Sequence, residues 1–283
     1  MLHVARHESP ELSWEMVTRE AATPLRALVR NYTGYVEHTA EPLVRREVPS
    51  GDVTLIISPD TELRLPDVRD EARPPARHRS FVAALSDTYS LVEHDGYQHG
   101  IEVRLTPLGA HALFGVSMKE LTNRVVELDD VLGRGADELV GRLWDAEGWE
   151  TRFELLDGLI AARVAEARSP SDGVAWAWRR LRETRGRTEV GGLARELGWS
   201  HRRLIARFRE QVGLPPKTIG RLLRFENVSR ALLRTPEPRL VEAAYDCGYY
   251  DQAHLNRDFR EFAGTTPGAY VAARLPAGGG VSG

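Results

Sequence analysis

Apolar and small residues in the last third of the chain fall at Val190, Leu193, Ala194 and Leu197. They stop at Gly198-Trp199-Ser200 and resume at Leu204, Ile205, Phe208 and Val212. Both runs keep the three-and-four spacing of a helix with one buried face, and Ser200 suits the N-cap of the second. The pattern predicts two short helices joined by a glycine turn, which is the helix-turn-helix form. It then repeats. In VEAAYDCGYYDQAHLNRDF, Val241 to Phe259, Ala244 stands four residues before Gly248, as Ala194 stands before Gly198. Tyr249 answers Trp199, Asp251 is the new cap, and Leu255 and Phe259 repeat Leu204 and Phe208. GLPP at Gly213 answers GTTP at Gly264, with Ile219 and Tyr270 in register. The chain therefore contains one small module twice. Between the copies, Ile219, Leu222, Leu223, Val228 and Leu232 predict a single connecting helix within Lys217–Leu233, ended by RTPEP from Arg234. At about 15 residues it would span roughly 22 Å. That would hold the modules apart at a fixed separation, against the roughly 34 Å between successive major-groove faces on one side of B-DNA.

The first 169 residues have a different rhythm. GDVTLIISP and YQHGIEVRLTP are β-rich runs bounded by Gly, Asp and Pro, and SFVAALSDTYSLVEHDGYQHG predicts a hairpin turning at Asp95-Gly96. ELVGRLWDAEGWETRFELLDGLIAARVAEA, from Glu138, predicts two amphipathic helices broken near Gly148. Strands followed by helices fit a small β-barrel with a helical extension. Its helical apolar positions, among them Leu139, Leu143, Leu155, Leu156, Leu159 and Ile160, exceed one stripe; they serve either packing on the barrel or a dimer surface. The expected fold class is α+β, divided at ARSPSDG into residues 1–169 and 170–275. Trp176 and Trp178 are expected at the junction, and a disordered tail over 276–283.

Charge sharpens the division. Residues 1–169 carry 19 Lys and Arg against 29 Asp and Glu, whereas residues 170–283 carry 19 against 12. Only the second half, at +7, suits a polyanion. The whole chain, 283 residues with 42% hydrophobic and 28% charged, has ordinary globular composition. No apolar run approaches the roughly 20 residues of a membrane span. The start, MLHVARHESPELSWEM, does not read as a signal peptide. A cytoplasmic protein with no membrane partner is expected. One cysteine, Cys247, excludes an intrachain disulfide and a thiolate cluster. Its place before Gly248 suits a buried filler.

The paired modules, the connecting helix and the closing GYYDQAHLNRDFREFAGTTPGAY resemble the DNA-binding domain of the AraC/XylS family of transcriptional regulators. The likeness covers roughly Val174 to Arg274. Val228 departs from it, standing where that helix often carries alanine. The amino-terminal part resembles the cupin-like sensor domains that precede many such domains. GIEVRLTPLGAHALFGVSMKELTNRVVELDDVLG also looks like a domain type recurring in this group. The resemblance implies a sequence-specific transcription regulator acting on double-stranded DNA. It implies a small-molecule effector, RNA polymerase and a second copy of the chain as further partners.

Helical geometry selects the reading face independently. With Leu204 and Phe208 inward, Arg202, Ala206 and Arg209 point outward, flanked by Arg203 and Ile205. With Leu255 and Phe259 inward, Ala253, Arg257 and Arg260 point outward, flanked by His254 and Asn256. The resemblance places base contacts at largely the same positions, with Gln252 near the helix start. Arg202 suits a guanine edge, Asn256 or Gln252 an adenine, and Ile205 and Ala206 a thymine methyl. Arg209, Arg260 and the helix N-terminal amides at His201 and Gln252 suit phosphates.

Catalysis finds no support. His94, Asp95 and His99 lie near one another, with His78 and His111 farther off, but no His-x-His pair exists. Because His94 and His99 flank the predicted turn, a solvated loop is the expected setting rather than a metal site. There is no Gly-x-Ser-x-Gly elbow, P-loop or His-Glu-x-x-His helix. No cofactor, metal or catalytic residue is expected. The alternative reading is a cupin-like metal or small-molecule enzyme whose helical carboxy-terminal domain serves assembly. A third is sequence-blind architectural binding.

Overall fold

A computed structural model describes residues 1–70, 72–167, 169–234, 239–275 and 281–283. Eleven strands are described, and every pairing between them is antiparallel. The larger sheet takes β1 (His3–Glu8), β2 (Leu12–Arg19), β3 (Val29–Thr39), β5 (Val53–Ile57), β8 (Phe81–Ala83), β10 (Tyr97–Leu105) and β11 (Val125–Glu127), in the order β1-β2-β3-β10-β5-β8-β11. The smaller takes β4 (Leu43–Glu47), β6 (Leu63–Leu65), β7 (Ala76–His78) and β9 (Ser90–His94), in the order β4-β9-β6-β7. The expected α+β class holds, but the strands form two separate sheets and no closed ring among the described residues. The Asp95-Gly96 turn is also present, with Gly96 at φ +99°. It does not make a hairpin: β9 pairs with β4 and β6, while β10 pairs with β3 and β5 in the other sheet. The turn is a corner between sheets.

Period-two alternation along the strands decides what faces where. On β3, Tyr32 and Gly34 face helix α5 (Gly148–Glu166), where Tyr32 stacks on Phe153 at 5.5 Å and donates to Asp157 Oδ1 at 2.7 Å. At Gly34 a Cβ would lie 2.2 Å from the Trp149 ring, so only glycine lets the indole rest on the sheet. The alternate residues, Thr33, Tyr35 and Glu37, line a cavity of about 350 Å³ between the sheets. On β10 the split repeats: Ile101, Val103 and Leu105 join the core, whereas Gln98, Glu102 and Arg104 line the cavity.

Helices α1 (Pro107–Phe114), α2 (Met118–Leu121), α3 (Leu128–Leu132) and α4 (Ala136–Asp145) complete this half. Leu139, Leu143, Leu156 and Ile160 are buried, while Leu155 and Leu159 are half-buried against the same core. The carboxy-terminal half is all helical: α6 (Asp172–Glu183), α7 (Val190–Glu196), α8 (His201–Val212), α9 (Pro216–Arg234), α10 (Leu240–Asp246), α11 (Gln252–Ala263) and α12 (Pro267–Ala272). Trp178, on α6, is buried and Trp176 half-buried. Helix α9 has 19 residues, hence a length of about 28 Å. The stop expected at RTPEP falls largely on 235–238, outside the described residues.

The apolar core does not respect the expected boundary at 169/170. One cluster runs from Val17 and Tyr32 in the sheet through Leu204, Phe208 and Val212 of α8 to Leu222 of α9, and a second holds Phe225, Leu255, Phe259 and Phe262. The tail also departs from expectation. Residues 276–280 lie outside the described residues, but Val281–Gly283 pair with β4 instead of being disordered. The Val281 carbonyl accepts from the Arg46 N–H at 2.8 Å, and Gly283 N–H donates to the Val44 oxygen at 3.0 Å. Val281 is buried in the second cluster, which repays ordering of the strand.

Phe225 links α9 to α11 through rings 4.9 Å from Phe259 and 5.2 Å from Phe262. Phe225→Ala is expected to destabilise the full chain by about 3–5 kcal/mol in a urea melt. A loss below 1 kcal/mol, on the order of a surface change, would show that α9 is not the link.

Candidate nucleic-acid interface

The two modules are built by the same local chemistry. Helix α7 ends in a turn where Gly198 has φ +63° and Trp199 N–H reaches back to the Ala194 oxygen at 2.9 Å. Helix α10 ends with Gly248 at φ +84° and Tyr249 N–H on the Ala244 oxygen, again at 2.9 Å. Left-handed backbone at that point is what halts each helix and turns the chain. Each following helix is then capped: Ser200 Oγ accepts from Arg203 N–H at 3.2 Å, and Asp251 Oδ1 from His254 N–H at 2.7 Å. Leu204, Phe208, Leu255 and Phe259 are fully buried. Ala194 and Ala244 are buried between their helices, as the spacing requires.

The opposite faces are open. Along α8, His201, Arg202, Arg203, Ala206 and Arg209 are exposed and Ile205 is half-buried. Along α11, Gln252, Ala253, Arg257 and Arg260 are exposed, while His254 and Asn256 are half-buried. Two of these side chains are already engaged. Arg203 lies over the Trp199 ring at 4.6 Å, and His254 meets Tyr249 edge-on at 5.0 Å. By contrast, no ion pair among the described residues involves Arg202, Arg209, Arg257 or Arg260. An unpaired exposed guanidinium is free to meet a phosphate or a guanine.

Other arginines work behind this face. Arg221 on α9 donates to the buried Asp258 at 2.7 Å and bridges to Glu261, whose carboxyl it holds below the usual range. That bond ties α9 to α11 at neutral pH and is lost as pH falls through the depressed carboxyl pKa. Arg187 donates to the Asp246 carbonyl, bracing the second turn. Cys247 is buried, and burial pushes its thiol pKa up, away from thiolate reactivity.

One member of this face was missed from sequence. Lys119, on α2 of the amino-terminal half, borders a groove with His201, Arg202, Ile205, Ala206 and Arg209. It comes there because α1 and α2 pack on α8, with Ser117 Oγ donating to the Glu210 carbonyl at 3.4 Å. No local pattern marks Lys119; only the packing of the two halves does.

The histidines considered for a metal separate. His94 is buried beside Glu37 rather than in a solvated loop, because its strand sits inside the smaller sheet, and burial lowers its pKa. His99 accepts from Trp144 Nε1 at 3.0 Å and faces Asp60, while Asp95 is held by Arg64 through two bonds of 2.6 Å. His78 sits against Glu127, and His111 against the Val116 carbonyl. No cluster of three or more His, Cys, Asp or Glu suited to a metal occurs among the described residues. Nor is any described helix long and apolar enough to cross a membrane.

Residues 193–273 match a family model described as a helix-turn-helix domain, and residues 18–127 match one described as a domain of unknown function, DUF6597. The carboxy-terminal part of the chain is a helix-turn-helix domain of the AraC type, a DNA-binding class. Among solved structures, the chain is similar to the C-terminal domain of AraT, a response regulator from Geobacillus stearothermophilus. That match has 21% identity over 39% of this chain and 92% of that one, with a TM-score of 0.35. It is also similar to ToxT from Vibrio cholerae, at 11% identity over 93% and 98% of the two chains with a TM-score of 0.47. The AraC-like transcriptional activator CuxR matches at 16% identity over 82% and 86%, with a TM-score of 0.30. No curated protein matches the chain.

The two caps invite a direct comparison. Ser200→Ala and Asp251→Ala should each cost about 1 kcal/mol of stability in denaturant titrations. Equal stability of either variant and the parent would mean that the turn alone starts that helix.

Proposed function

We propose that the protein is a sequence-specific transcription regulator that reads two successive major-groove segments, one with α8 and one with α11. The observation that carries this reading is the repetition of turn, cap and open face in both modules, each presenting at least two arginines for which no ion pair occurs among the described residues. Arg202 and Arg257 are the base readers, with Gln252 and Asn256 suited to adenine and Ile205 and Ala206 to a thymine methyl. Arg209, Arg260 and the amides at the starts of α8 and α11 hold phosphates, and Lys119 adds a phosphate contact from the other half.

The amino-terminal half supplies an effector site in the cavity between its sheets. Support comes from the stretch 47–52. Glu47, Val48, Pro49, Ser50 and Asp52 line the cavity. Within the same stretch, Val48 packs against the second core and Gly51 N–H donates to Glu226 of α9 at 3.1 Å. A molecule that reshapes this wall acts on the mount of both modules.

The test is selection of randomised duplexes by the full chain at about 150 mM salt. Two enriched blocks centred about 10–10.5 base pairs apart are expected. Arg202→Ala and Arg257→Ala should each relax one block, by about 1–3 kcal/mol of discrimination. Enrichment of a single block would make one module a backbone clamp. Tight binding without enrichment would replace the reading with sequence-blind association. Lys119→Ala should weaken binding to all duplexes alike and lower the salt slope by about 0.9; an unchanged slope would place Lys119 off the DNA.

A further inference from the structure

Helices α8 and α11 each end on a glycine, and a piece of the amino-terminal half rests on both. Helix α8 stops at Gly213, with φ +105°, and α11 at Gly264, with φ +63°. These are the glycines of the repeated GLPP and GTTP, so they hold equivalent places in the two modules. A Cβ on Gly213 would lie 2.8 Å from Thr122 Oγ1 and 3.2 Å from the Met118 carbonyl oxygen, at the two ends of α2. A Cβ on Gly264 would lie 2.3 Å from the ring of Tyr89, just ahead of β9. Bare glycine backbone is what lets the other half come so close at both places. Polar contacts repeat the correspondence. Ser117 Oγ donates to the Glu210 carbonyl in the last turn of α8 at 3.4 Å, and Arg46 of β4 donates to the Ala263 carbonyl at the end of α11 at 2.8 Å. Arg46 also lies over the Tyr89 ring at 4.6 Å, so the two side chains grip α11 as one unit. A guanidinium there satisfies a carbonyl left open at the helix end and meets the negative end of the helix dipole.

Helix α9 fixes how far apart the modules stand, but a stripe of apolar side chains along one rod resists separation better than rotation. A second attachment away from the rod removes the rotation. Helix α8 lies in the core shared with the sheet and α11 in the second core, and no cluster of described residues holds both. We propose that the amino-terminal half is a gauge for the DNA site. By holding α8 and α11 at equivalent ends it fixes their mutual orientation, and with it the spacing of the two base blocks that the chain accepts. Arg46 and Tyr89 are the positioning residues for α11, acting through the helix rather than on a base. This inference rests on the two-groove reading and adds what sets its geometry. B-DNA makes such a gauge consequential: each base pair inserted between the blocks shifts the second by about 3.4 Å and turns it by roughly 35° about the axis.

The experiment takes the most enriched duplex from the selection and makes copies with one base pair added or removed between its blocks. Affinity of the full chain for each is measured at about 150 mM salt, for the parent and for Arg46→Ala with Tyr89→Ala combined. The parent should lose about tenfold or more on either altered spacing, the order of one block's base contacts. The double variant should lose no more than about threefold on them. An unfolded fraction lowers binding to all three duplexes by the same factor, so a merely structural role leaves the ratio between spacings unmoved. Tyr89→Phe keeps the ring on Gly264 and should keep the parent's ratio. A parent chain indifferent to spacing overturns the proposal, as does a parent-like ratio in the double variant. Tighter binding by the double variant at every spacing also overturns it, making the grip a brake on DNA binding. Selection that yields one block or none defeats the two-groove reading instead, and is thereby told apart from failure of the gauge. If the double variant does not fold, Arg46→Met takes its place with the same expected direction, since it keeps an unbranched stem over Tyr89 but cannot donate to Ala263.

Discussion

Helix α9 must be buried on more than one side, and the carboxy-terminal half is arranged to meet that demand. Ile219, Leu222 and Leu223 belong to the core shared with the amino-terminal half, whereas Phe225, Val228 and Leu232 belong to the second core. A helix wet on one face can satisfy only one such stripe. The two modules therefore attach to α9 and neither can be removed without exposing part of it. Polar groups along it are matched in the same spirit: Ser229 donates to the Phe225 carbonyl, Asn227 to the Cys247 sulfur at 3.0 Å, and Arg224 to the Gly186 carbonyl at 2.6 Å. Each removes a donor from an apolar setting that would otherwise penalise it. The result is a stiff rod that sets the distance between two open helical faces.

The modules were legible in the sequence because everything that makes them is local. A glycine at a left-handed position, a cap two or three residues later, and a Leu/Phe pair four apart are short-range signals, and two copies reinforce each other. The open faces followed from the same period. The amino-terminal half is harder because its strands have both faces covered. Alternation ordinarily sends polar residues outward, but here α5 and the core claim one face of β3 and β10. Thr33, Tyr35, Glu37, Gln98, Glu102 and Arg104 turn inward to the cavity. Read as a string, an inward polar residue and an outward one look alike.

Long-range packing accounts for the other differences. Asp95-Gly96 has the residues of a tight turn, yet which sheet receives each flanking strand depends on pairing partners far away in the sequence, in β3 and β4. His94 is buried for that reason. Lys119 reaches the groove along α8 only because α2 packs on α8. Val281 has no local signal for a strand; it orders because β4 offers an unpaired edge and the second core offers it cover. In each case the residue type was ordinary and the neighbour decided its role.

Helix α8 draws its support from both halves of the chain: Leu204, Phe208 and Val212 sit in a cluster that continues to Met118, Leu121 and the sheet. Loosening α1 or α2 therefore deprives helix α8 of its backing, though neither belongs to its open face. In a genetic screen for lost regulation, substitutions in the amino-terminal core would score alongside those at Arg202. Cellular protein level separates the two groups, since the supporting substitutions act by raising the unfolded fraction and those at the exposed Arg202 leave abundance intact.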